Sequence, residues 1–132
     1  MKTLNQILES LDIKEFVIIK PGFDKYINEI EELLINKGFS IYKKLTRKLS
    51  LDEAMNLYKV HSKEDFYENL CKYMSSKECT GYILNNRKGN DLLKFKDEIR
   101  KKYGKDDMRN TMHSSDSKKN VERESRIFFN FQ

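Results

Sequence analysis

Phe16-Val-Ile-Ile19 is an unbroken apolar run. A strand covered on both faces has this pattern. Over 24–37 the period becomes helical: Tyr26, Ile27, Ile30, Leu33 and Leu34 share one stripe, and Gly38 suits the position just after a helix C-terminus. Phe39, Ile41, Lys43 and Leu45 then alternate with Ser40, Tyr42, Lys44 and Thr46, which predicts a half-exposed strand. Ser50-Leu-Asp-Glu53 reads as a capping box that opens a helix over 51–60. Asp65 starts another helix, with Phe66, Leu70 and Met74 inward. Cys79 to Leu84 is a short strand, and Asn86 to Asn90 is a turn. Asp91 to Tyr103 is amphipathic, with Leu92, Phe95, Ile99 and Tyr103 on its apolar side. A polar loop over 104–107 precedes a last strand at 109–113, with His113 at its end. A helix over 117–129 closes the chain. Residues 4–12 carry the weaker pattern of a short leader helix.

The order strand, helix, strand, helices, strand, helix, strand implies an α+β sandwich built on an antiparallel sheet. A length of 132 residues fits one domain spanning 1–132, with 1–13 as a possible leader. Charged residues make up 36% and hydrophobic residues 38%, so a compact core lies under a heavily charged surface. No stretch is apolar enough to span a bilayer, no signal-peptide pattern opens the chain, and no membrane partner is expected. Cys71 and Cys79 lack metal-ligand spacing and read as reduced thiols of a cytoplasmic protein.

The net charge of +5 is unevenly placed. Residues 1–86 hold 13 basic and 13 acidic side chains, whereas residues 87–132 hold 13 and 8. A positive field in the second half favours anionic ligands. Nucleic acid is not the expected partner, because Phe128, Phe129 and Phe131 read as helix and tail packing rather than a basic-aromatic platform.

The chemistry concentrates in the same half. Asn110-Thr-Met-His113-Ser-Ser115-Asp116-Ser117 sets an imidazole among hydroxyls and a carboxylate, which points to phosphate handling. Val121, Glu124 and Phe128 share one helix face, so an acid sits on an apolar stripe. A buried acid needs a partner, and His113 is the nearest candidate. An imidazole held by a carboxylate on one nitrogen offers the other as nucleophile or base. Tyr58 and Phe66, on their residue types alone, read as core aromatics.

Asn110-x-x-His113-x-Ser-Asp-Ser, with Glu124 eleven positions after the histidine, resembles the signature of nucleoside diphosphate kinases. Glu15-Phe-Val-Ile-Ile-Lys20-Pro21, Lys37-Gly38-Phe39, Tyr58-x-x-His61 with Phe66, and Met74-Ser75 resemble that family's segments in the same order, from about residue 14 to about 129. The resemblance implies a ferredoxin-like fold with a four-stranded antiparallel sheet and additional helices. It implies ping-pong transfer of a terminal phosphate from a nucleoside triphosphate to a nucleoside diphosphate, carried by Mg²⁺-bound nucleotides. His113 would be the nucleophile and Glu124 its orienting acid. Lys20, Tyr58, Phe66, Arg100 and Asn110 would bind the nucleotide, with Phe66 stacking on the base. No protein metal ligands are implied. His61 fits the pattern without a catalytic role, and Ser115 and Asp116 are expected to build the turn and cap below His113.

Several positions depart from the family pattern. Arg100 matches either Thr-Ile-Arg, aligned back from His113, or Arg-x-x-x-Gly, aligned by helix; both arginines contact phosphate in the family. The segment before His113 is short and lacks the Pro-Gly-Thr-Ile-Arg-Gly loop. That loop builds trimer contacts, so a homo-oligomer based on dimers is expected here and a hexamer is not. Gly22-Phe23 stands where Asp-Gly is usual, and Ser114 where Gly is usual. The competing expectation is a weak or inactive nucleotide-binding regulatory module with the same fold.

Overall fold

The computed structural model describes residues 3, 14–86 and 88–130. The leader helix expected over 4–12 lies outside them. Among the described residues, β1 (Lys14–Ile19), β2 (Ser40–Arg47), β3 (Cys79–Asn85) and β4 (Met112–Ser114) form one sheet in the order β2-β3-β1-β4. Every neighbouring pair is antiparallel. β1 and β2, joined through one helix, leave room for β3 between them, and β3 and β4, joined through another, leave room for β1, so the two units interleave. This is the split βαβ arrangement of a ferredoxin-like α+β fold.

The apolar run explains the layering. Phe16, Val17, Ile18 and Ile19 are each at most 1% exposed. Successive strand residues point to opposite faces. Phe16 and Ile18 join a cluster with α2 (Leu51–Leu57), α3 (Tyr67–Met74) and α5 (Lys118–Phe129), through Leu57, Met74 and Phe128. Val17 and Ile19 join the opposite cluster with α1 (Ile27–Asn36) and α4 (Leu92–Tyr103), through Ile30, Leu34, Phe95 and Ile99. The sheet therefore lies between two helical layers.

Local signals set most boundaries. Ser50 Oγ accepts from the Glu53 amide at 3.1 Å, and Glu53 Oε1 accepts from the Ser50 amide at 2.8 Å, which completes the capping box. Gly38 ends α1 with φ +95°, a conformation that a Cβ would strain.

Five expectations change. The helix expected over 24–37 opens with a 3-10 turn at Asp24–Tyr26, and that over 51–60 stops at Leu57, with a 3-10 turn at Lys59–His61 after it. Phe66 is not inward: it precedes α3 and is 44% exposed. An irregularity between Ile41 and Lys43 breaks the alternation of β2 and leaves Leu45 exposed. The last strand is not 109–113. Thr111 has φ +81° and the Met112 amide bonds the Asn110 carbonyl at 3.0 Å, so a tight turn delays β4 to Met112 and puts His113 at its centre.

One close approach ties a helix to the sheet. Gly81 in β3 faces the Phe128 ring so closely that an added Cβ would collide with it. Gly81→Ala is expected to cost about 1–3 kcal/mol by overpacking, read from urea unfolding. Combined with Phe128→Leu, the loss should be smaller than the sum of the two single losses; a simple sum would show that the ring is not the obstacle.

Candidate active site

Two backbone constraints bring the chemistry together. β4 pairs with β1 so that His113 lies opposite Ile18, two residues along the chain from Lys20. α5 follows at once, capped by Ser117, whose Oγ accepts the Asn120 amide at 3.1 Å. The cap is thus Ser117 and not the expected Ser115 or Asp116. Asp116 instead accepts from the Asn120 side chain at 2.6 Å. The apolar stripe of α5 carries Glu124 inward, where it is 4% exposed.

Glu124 finds its partner in His113. Nε2 of the imidazole lies 2.5 Å from Glu124 Oε1. A carboxylate accepts, so Nε2 carries the proton and Nδ1 holds the lone pair. The Arg123 guanidinium lies 3.9 Å from the other carboxylate oxygen and donates to the carbonyls of Asn56 and Leu57, which fastens α5 to the end of α2. Tyr58 packs its ring edge-on to the imidazole, with centroids 5.1 Å apart.

Electrostatics keep the imidazole neutral. Burial lowers the His113 pKa below 6.5; Glu124 opposes this, while Lys20 and Lys96 add to it. Burial outweighs the carboxylate here. Burial also raises Tyr58 well above the usual tyrosine range, with the Glu124 charge contributing. Its hydroxyl is buried with no hydrogen-bond partner among the described residues, so Tyr58 is a neutral wall of the site.

A cleft of about 630 Å³ opens in front of His113. Its lining includes all seven residues singled out in the sequence: Lys20, Tyr58, Phe66, Arg100, Asn110, His113 and Glu124. Lys20 is 5% exposed; its Nζ donates to Asn110 Oδ1 at 2.7 Å and to the Met108 carbonyl at 3.2 Å. Burial, then the charges of Arg100 and Lys96, lower its pKa to about 7, with Asp106 in partial opposition. Arg100 Nε donates to the Met112 carbonyl at 3.0 Å, and burial lowers its pKa as well. It rises from α4, and an added Cβ at Gly104 would collide with its carbonyl.

At the other end the cleft is apolar. Phe66 and Val60 stand exposed on its rim, and the His61 ring lies 5.5 Å from that of Phe66. A cationic floor beside an aromatic lip suits an anionic ligand that carries a flat ring. The sequence reading missed Lys96 and Met108 in the lining. The signal for Lys96 was its spacing of four from Arg100, which places both on one side of α4. The described residues contain no group of three or more acidic, His or Cys side chains placed to hold a metal ion.

A family profile described as nucleoside diphosphate kinase matches residues 14–95 and 90–132. The chain is 32% identical to human "Nucleoside diphosphate kinase homolog 5" over 130 residues, covering 88% of this chain and 61% of that protein. It thus spans less than two thirds of that relative's length. It is 30% identical to the nucleoside diphosphate kinase of Hyperthermus butylicus over 129 residues, with coverage of 88% and 91%. In fold it resembles the Halobacterium salinarum nucleoside diphosphate kinase solved with CDP, at a TM-score of 0.77 and 20% identity, covering 90% of this chain and 88% of that one. Sheet order, motif spacing and these similarities agree: the chain belongs to the nucleoside diphosphate kinase family.

Proposed function

We propose that the chain transfers the terminal phosphate of a nucleoside triphosphate to a nucleoside diphosphate through a phosphohistidine on His113. The observation that carries this reading is the bond from His113 Nε2 to Glu124 inside a cleft lined by cations. The Nδ1 lone pair attacks the terminal phosphorus, the bond to the bridging oxygen breaks, and a nucleoside diphosphate leaves. In the second half, the terminal oxygen of another diphosphate attacks the same phosphorus and the N–P bond breaks. Glu124 steadies the ring and offsets the positive charge that develops on it. Lys20 and Arg100 stabilise charge on the phosphate oxygens. Asn110 holds the sugar and phosphate end, Tyr58 walls the imidazole, and Phe66, exposed on the rim of the cleft, stacks on the base. Mg²⁺ bound to the nucleotide neutralises phosphate charge.

The competing reading is an inactive nucleotide-binding module. It is favoured by the cleft lining, in which Arg100 is the guanidinium and the loop before His113 is short. The two free, buried cysteines suit a reducing compartment such as the cytoplasm. Among the described residues, no helix is long and apolar enough to cross a membrane.

Incubation with γ-labelled ATP separates the two readings. The wild type should take up an acid-labile, alkali-stable label that ADP chases off. His113→Gln keeps a polar group near the buried Glu124 and should lose transfer at least about a thousandfold, or about 4 kcal/mol in barrier. ATP binding without any label would establish the module instead.

Protonation of Nδ1 removes the nucleophile. Because the His113 pKa is lowered, the acidic fall in kcat/KM should have its midpoint below pH 6.5. A midpoint above that value would place a different group in the role.

We also propose assembly into dimers through the β2 edge, where Tyr42 and Leu45 stand exposed. Light scattering should report fewer than six subunits, and a stable hexamer would show that another surface replaces the missing loop.

A further inference from the structure

Lys96 stands out among the lysines of α4. Leu92, Phe95 and Ile99 face the core, and Lys94, Lys101 and Lys102 are exposed. Lys96 and Arg100 lie between these two sides, half-buried and one turn apart, and both line the cleft. Like charges at this spacing repel. Burial holds each side chain below its ordinary pKa; at Lys96 the Arg100 charge adds to this, while the Asp97 and Asp116 charges oppose it. No carboxylate among the described residues lies within ion-pair distance of Lys96. Its charge is nevertheless felt by Lys20 and by His113. A partly desolvated cation, beside a second one and close to the candidate nucleophile, is an arrangement that an anionic ligand relieves.

We infer that Lys96 binds the terminal phosphate of the nucleotide, pairing with Arg100 across one turn of α4. The inference rests on the nucleotide-handling reading above and adds a residue to it. Lys96 supplies a compact charge with rotatable donors, whereas Arg100 is already committed through Nε to the Met112 carbonyl. Lys96 can therefore adjust to the terminal phosphate of a bound diphosphate, while Arg100 stays fixed.

The test is equilibrium titration of the full chain with ADP and with AMP, both with Mg²⁺, because ADP alone carries the second phosphate. Lys96→Met keeps an apolar stem against the cleft wall and removes the charge. It should weaken ADP about tenfold, equivalent to about 1.4 kcal/mol, and leave AMP within about twofold. Lys96→Arg should restore most of the ADP affinity. Equal ADP affinities in wild type and Lys96→Met overturn the inference, as does a parallel loss of ADP and AMP, which would mark a structural role. Wild type that binds ADP without transferring phosphate defeats the kinase reading alone, and the ADP-to-AMP ratio still decides Lys96. Wild type that binds no ADP defeats both.

Discussion

The contact between His113 and Glu124 is the constraint around which the rest of the site is arranged. A carboxylate 4% exposed on the apolar side of a helix is costly unless something bonds to it. The imidazole that satisfies it comes from the neighbouring strand. The pair therefore fixes the register of α5 against β4 and settles which ring nitrogen keeps a lone pair. Arg123, bonded to the end of α2, and Phe128, lodged against Gly81, hold the same helix from either side of that contact. Structure and chemistry here share one hydrogen bond, so neither partner can change without disturbing both.

The site is also built against its own electrostatics. Lys20, Lys96 and Arg100 crowd one cleft, and each has a pKa pushed down mainly by burial. Such crowding is unfavourable in an empty protein. It persists because the sheet and α4 are held by apolar packing on both faces, which the cleft does not interrupt. Rigid support on one side and unresolved charge on the other make a site preorganised for anions.

Much of this was legible in the residues. The run Phe16–Ile19 announced a doubly covered strand, the motif around His113 named Asn110, His113 and Glu124, and separate segments named Lys20, Tyr58, Phe66 and Arg100, all of which line the cleft. The misses have physical causes. Helical spacing placed Phe66 inward on the same side as Leu70, but that side meets the open cleft at the N-terminus of α3, so the ring stays exposed. A β-branched residue at positive φ is rare, so nothing in Thr111 warned of the tight turn that shortens β4. Lys96 looked like one of many surface lysines, because charge composition does not reveal which side of α4 meets a cleft. Ser115 and Asp116 were plausible caps by type, and only the backbone showed that Ser117 takes that place.

Lys20 shows how one group can serve architecture and recognition separately. An ammonium has three hydrogens to give, and two are spent on Asn110 and the Met108 carbonyl. Burial and the neighbouring cations lower its pKa to about 7, which favours loss of one of the three. The neutral amine still spans the gap to the 108–110 segment, but it has nothing left to offer an incoming oxyanion. Holding the 108–110 segment and facing the cleft thus draw on different hydrogens of one group.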